Sequence, residues 1–139
     1  MDKSIITIKQ AHSIENVISK SRFIAYIKPV STENEAKAFI DEIKTKHKDA
    51  THNCSAYTVG PEMNIQKAND DGEPSGTAGI PMLEILKKQE IHNVCVVVTR
   101  YFGGIKLGAG GLIRAYSGAV RDVIYDCLLY TSPSPRDRG

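Results

Sequence analysis

Val94-Cys-Val-Val-Val-Thr-Arg-Tyr-Phe-Gly-Gly-Ile-Lys-Leu-Gly-Ala-Gly-Gly-Leu-Ile-Arg-Ala-Tyr-Ser117 is the stretch on which the fold turns. Its first part, Val94 to Thr99, is apolar without alternation, the mark of a central strand covered on both faces. Its last part opens a helix at about Gly110, with Leu112, Ala115, Tyr116, Ala119, Val120, Val123 and Ile124 on one stripe. Between them lie five glycines (Gly103, Gly104, Gly108, Gly110 and Gly111) with Arg100, Lys106 and Arg114 around them. Glycines at that density let backbone amides approach a partner closely. The first free N–H groups of the helix carry about half a positive charge toward the same place. The pattern suits a phosphate or carboxylate. It lacks the Gly-Lys-Ser/Thr of a P-loop and a clean G-x-G-x-x-G followed by an acid. The alternative is that the glycines serve only tight packing of strand, turn and helix.

Outward from this segment the chain alternates short strands and helices. Residues 4–9 and 14–19 carry β-rich runs that can pair as an antiparallel edge, and Ser21 to Pro29 is a better strand. Thr32 with Glu35 forms a capping-box pattern ahead of Ala36, Phe39, Ile40 and Ile43 at helical spacing. Asn53 to Val59 reads as a strand, Gly60-Pro61 as a turn, Asn64 to Ala68 as a weaker strand, and Asn69 to Gly76 as a loop. A short helix runs from Thr77 or Gly79 through Lys88, with Pro81 tolerable in its first turn. The fold class expected is α+β: a mostly antiparallel or mixed sheet with helices packed on one side.

Composition narrows the function. The 139 residues fit one domain, and a formal net charge of +2 is too small to argue for nucleic acid except by local clustering. Neither a membrane-spanning run nor a signal-peptide pattern is present, so a cytoplasmic location with no membrane partner is expected. Cys54, Cys95 and Cys127 have no paired spacing and read as reduced thiols.

A second cluster is Asp70-Asp71-Gly72-Glu73-Pro74-Ser75-Gly76-Thr77. Asp70, Asp71 and Glu73 can hold a hard cation, form a solvated turn with Ser75 and Thr77, or pair with Arg100, Lys106 or Arg114. His52 and Cys54 lie two apart at a strand start and so share a face; a Cys–His nucleophile pair is conceivable, a structural role the alternative. His12, His47 and His92 lack metal-ligand spacing, and neither a metal nor a cofactor is expected. Tyr57, Tyr101, Phe102 and Tyr116 are either core or stacking faces near the basic turn.

Four segments together resemble the IMPACT/YigZ family: Ser19 to Phe23, Ala50 to Cys54, Asp70 to Leu83 and Val97 to Ser117. The resemblance spans about residues 15–125 and implies a domain like the fourth domain of elongation factor G, a sheet of four or more strands with two main helices on one face. It also implies the bacterial type of this family, whose members add a smaller ferredoxin-like carboxy-terminal domain, absent from this chain. Eukaryotic relatives restrain a translation-initiation-factor kinase by competing for its ribosome-associated activator. The function expected is a non-enzymatic module that regulates translation by binding RNA, the ribosome or a ribosome-linked protein. The binding surface would be Arg100, Gly103, Gly104, Lys106, Gly108, Gly110, Gly111 and Arg114. The alternative is a small metal-assisted hydrolase or phosphoryl-handling enzyme using His52 and the Asp70/Asp71/Glu73 loop.

Residues 1–126 are therefore expected to form the domain. Residues 127–139, with Pro133 and Pro135, look like a disordered or non-native tail, similar to translated sequencing adapter, with the natural sequence leaving off near Asp126 or Cys127.

Overall fold

A computed structural model of the protein describes residues 8–131. The elements run β1 (His12–Ile18), β2 (Ser21–Pro29), α1 (Glu33–Lys46), β3 (His52–Val59), β4 (Ile65–Asn69), α2 (Gly79–Lys88), β5 (Val94–Tyr101) and α3 (Gly108–Thr131). The five strands form one sheet in the order β1-β2-β5-β3-β4, every neighbouring pair antiparallel. β5 thus sits in the middle, as its unbroken apolar run requires.

Alternation sorts the strands' side chains between two cores. Phe23, Ala25, Ile27, Cys54, Ala56, Val94, Val96 and Val98 face α2 and the Leu112–Cys127 stripe of α3. Tyr57, Val59, Cys95 and Val97 face Ala36, Phe39 and Ile43 of α1. Two helices, α2 and α3, share one face as expected, and α1 covers the other, which an arrangement with every helix on one side leaves out. A helix's own period shows that it has a buried stripe, not which side of a sheet receives it.

The amino-terminal edge also differs from expectation. β1 pairs with β2 through a tight turn at Ser19 and Lys20, both at positive φ (47° and 68°), the conformation whose twist matches paired strands. Of the 4–9 run, Ile8 is buried in the core, and residues 4–7 lie outside the described residues. At the other end α3 continues through Thr131, past the break expected after Tyr125. Cys127 falls three residues after Ile124 on the same stripe and is fully buried, so the helix still has a side chain to pack. The rest of the expected tail, residues 132–139, lies outside the described residues. Among the described residues no helix is long and apolar enough to cross a membrane.

Candidate functional site

The register carries the site. Arg100, near the end of β5, is opposite Phe23 on β2 and opposite His52 on β3, so these three side chains form a row on the α2/α3 face. The row lies just beyond the apolar core, where the Gly-rich loop turns away to begin α3. Here the surface opens into a cleft of about 400 Å³, lined by Thr51, His52, Glu73, Pro74, Arg100, Phe102, Lys106, Leu107, Gly108, Ala109 and Leu112.

Arg100 is not the open phosphate contact the sequence implied. Its side chain is 5 % exposed, and Nη1 donates to Oε2 of Glu73 at 2.8 Å. Nε and Nη2 both reach Oγ of Ser21 at 3.3 Å, and the guanidinium lies 5.4 Å and 5.3 Å from the ring centres of Phe23 and Phe102. A buried guanidinium requires an anion and further acceptors, and here it has them. Glu73 is equally enclosed; its Oε2 also accepts from the Tyr116 hydroxyl of α3 at 2.6 Å. Burial, the Cys54 thiol and this contact with a carboxylate all push the Tyr116 phenol far up, so it remains a donor. The ion pair therefore ties the loop after β4 to the central strand and to α3.

The other acids turn elsewhere. Oδ1 of Asp70 accepts from the amides of Ala78 and Gly79 (3.1 and 2.8 Å) and Oδ2 from that of Gly76 (2.9 Å). It thereby caps α2, whose N-cap residue Ala78 has no side-chain oxygen to offer. Burial alone raises a carboxylate, but these three amides outweigh it and hold the Asp70 carboxyl below its ordinary value. Asp71 accepts from the Asn53 amide at 2.7 Å and has Lys44 at 3.8 Å. Thr77 donates to the Pro74 carbonyl, and Ser75 is exposed. Among the described residues no three His, Cys, Asp or Glu side chains come together to hold a metal ion, so the cation reading of the acidic loop is replaced by an internal scaffold.

His52 lies in the cleft wall. Its Nδ1 is 2.8 Å from the Asp71 carbonyl oxygen, and its Nε2 is 3.4 Å from Oε1 of Glu73. Cys54 forms no nucleophile pair with it: the thiol donates to the Asp70 carbonyl, and burial pushes it up to about 12.

The glycines divide by role. A Cβ on Gly103 would lie 2.0 Å from the Lys20 carbonyl oxygen, so this residue lets the loop pass against the β1–β2 turn. Gly104 and Gly108 have positive φ (92° and 75°) and open space around them. Gly110 and Gly111 belong to the first turn of α3, and the amides of Gly108, Ala109 and Gly110 have no hydrogen-bond partner among the described residues. Lys106 is exposed at this mouth, and a Cβ on Gly110 would lie 3.4 Å from Nη1 of Arg114, so that guanidinium reaches back toward the helix start. Phe102, 45 % exposed, stands at the rim. The sequence reading missed Ser21, Thr51, Pro74, Leu107 and Leu112. Ser21 had a readable signal only in hindsight of register, because it sits in a strand of otherwise apolar inward positions.

Residues 19–124 match the family model described as the Impact N-terminal domain. A Bacillus subtilis (strain 168) protein, IMPACT family member YvyE, is 64 % identical over 119 residues, covering 86 % of this chain and 55 % of its own length. A crystal structure described as that of a hypothetical protein superposes with a TM-score of 0.81 at 39 % identity over 84 % of this chain and 57 % of that one. The structure of Yih1, described as a two-domain translational regulator, gives 0.55 at 30 % identity over 84 % of this chain and 45 % of that one. The chain spans about half the length of the curated relatives it matches.

Proposed function

Since the chain belongs to the IMPACT family, we propose that it acts in the regulation of translation as a non-enzymatic module that binds RNA at the cleft. The observation that carries this reading is the mouth of α3. Among the described residues, unpartnered amides of its first turn lie there with two exposed cations, Lys106 and Arg114, that form no ion pair with a described acid. A phosphate needs that combination of donors and positive charge. Hydrolysis has less support. His52 lacks a neighbouring activated nucleophile, since the Cys54 thiol is held protonated, and Asp70, Asp71 and Glu73 are each engaged by protein donors.

The test is fluorescence anisotropy with labelled single-stranded RNA across a salt series. Lys106→Ala and Arg114→Ala are each expected to weaken binding and to shallow the log–log salt slope by about one. Salt-independent binding, unchanged variants, or affinity for a ribosome-linked protein with none for RNA refutes the reading.

A further inference from the structure

The cleft has a polarity order that narrows what can fill it. Lys106 and the free amides of Gly108 and Ala109 line its α3 side, Phe102, Pro74, Leu107 and Leu112 supply apolar surface, and Glu73 and Arg100, the most buried of its polar residues, form the floor with His52 beside them. The Glu73 side chain is 3 % exposed, and its two oxygens are not equivalent. Oε2 accepts from both Arg100 and Tyr116. Oε1 has His52 Nε2 as its neighbour, at 3.4 Å, beyond a good hydrogen bond. The Asp71 carbonyl oxygen beside Nδ1 of His52 can only accept, so Nδ1 carries the ring proton. In the neutral ring Nε2 is then a lone pair. With that tautomer Nε2 and Oε1 are adjacent acceptors on two cleft-lining residues, with no other donor to Oε1 among the described residues, an arrangement that a ligand offering two adjacent N–H groups would satisfy.

Resting on the RNA-binding reading, we infer that the cleft receives one unpaired nucleotide of a single strand and that its floor selects guanine. Guanine presents N1–H and an N2–H side by side. Adenine and cytosine each set one exocyclic N–H beside a ring-nitrogen acceptor on that edge, and uracil has one N–H between two carbonyls. The phosphate stays with Lys106 and the α3 amides, since the Arg100 guanidinium is already held by Glu73 and Ser21, and the ring lies against Phe102. The volume, about 400 Å³, is in the range of small-ligand pockets. A paired guanine uses the same edge for its partner, so a duplex cannot deliver it.

Anisotropy at pH 8 with short uridine tracts carrying one central guanosine, adenosine, cytidine or inosine tests this. The guanosine strand is expected to bind roughly tenfold or more tightly than the others, as a two-point base contact does. Inosine, which lacks the 2-amino group, should lose most of that gain. Phe102→Ala should weaken every single strand about tenfold by removing a stacking face, and leave duplex RNA unaffected. His52→Ala should abolish the guanosine preference; if that variant does not fold, the inosine comparison on the wild type still decides. Equal affinity for all four strands overturns guanine selection while the RNA-binding reading stands, and no RNA binding at all overturns both. Guanosine monophosphate displacing the strand at equal concentration makes a free nucleotide the ligand and overturns the single-strand assignment.

Discussion

Arg100→Met separates a structural guanidinium from a ligand-binding one. Methionine keeps most of the side chain's length and its contact with Phe23, but leaves the Glu73 carboxylate with the Tyr116 hydroxyl as its hydrogen-bond donor and the His52 ring 3.4 Å away in a site 3 % exposed. Breaking one side of a buried pair costs about 3–5 kcal/mol. Against a total stability of about 5–15 kcal/mol the variant still folds. At roughly 4 °C per kcal/mol for a domain of this size, the melting temperature falls by about 12–20 °C. Glu73→Gln should cost a similar amount, because the guanidinium then lacks its anion. The double variant Arg100→Met/Glu73→Gln removes both charges and keeps an amide oxygen for Tyr116, so its cost should be smaller than the two single costs together by about 2–3 kcal/mol. Urea unfolding followed by circular dichroism measures all four proteins. A single-variant cost below about 1 kcal/mol, or additive costs, refutes the buried-pair argument. The double variant also reports on binding. If its RNA salt slope falls as that of Lys106→Ala does, Arg100 reaches phosphate after all.

Three further substitutions probe the frame around the cleft. Gly103→Ala places a Cβ 2.0 Å from the Lys20 carbonyl oxygen, so it should destabilise by more than about 2 kcal/mol or prevent folding. Gly104→Ala, with open space and only a positive φ to support, should cost about 1–2 kcal/mol; equal costs on thermal melting would contradict the close approach. Asp70, whose folded-state pKa is depressed, contributes stability that is present above the ordinary aspartate range and is lost as pH falls through its lower folded value. Asp70→Asn should therefore flatten the acid limb of the stability–pH curve below about pH 4, and an unchanged acid limb would refute the capping role.

The expected elements matched the molecule wherever a local cause sufficed. One half of the Thr32/Glu35 box is present as read, the Glu35 amide donating to Thr32 Oγ1 at 3.1 Å, while Glu35 Oε1 accepts from the amide of Ser31, one residue before the N-cap. The apolar run of β5 and the stripe of α3 need only periodicity to be recognised. The candidate site was legible as a set of residues but not as a division of labour. Pairing of the acids with Arg100 was one of three open readings, and nothing in the string says that Glu73 takes the guanidinium while Asp70 caps a helix and Asp71 holds the start of β3.

The amino-acid sequence by itself determined an α+β domain with a central apolar strand, a glycine-rich turn with cations beside it, and family membership. Which of those cations stay available to a ligand was decided only when the chain closed. Arg100 meets Glu73 across 27 positions and Ser21 across 79, and those meetings depend on strand register. Register is a property of two strands together, and burial of a charge is a property of everything packed around it, so neither can be read from one segment.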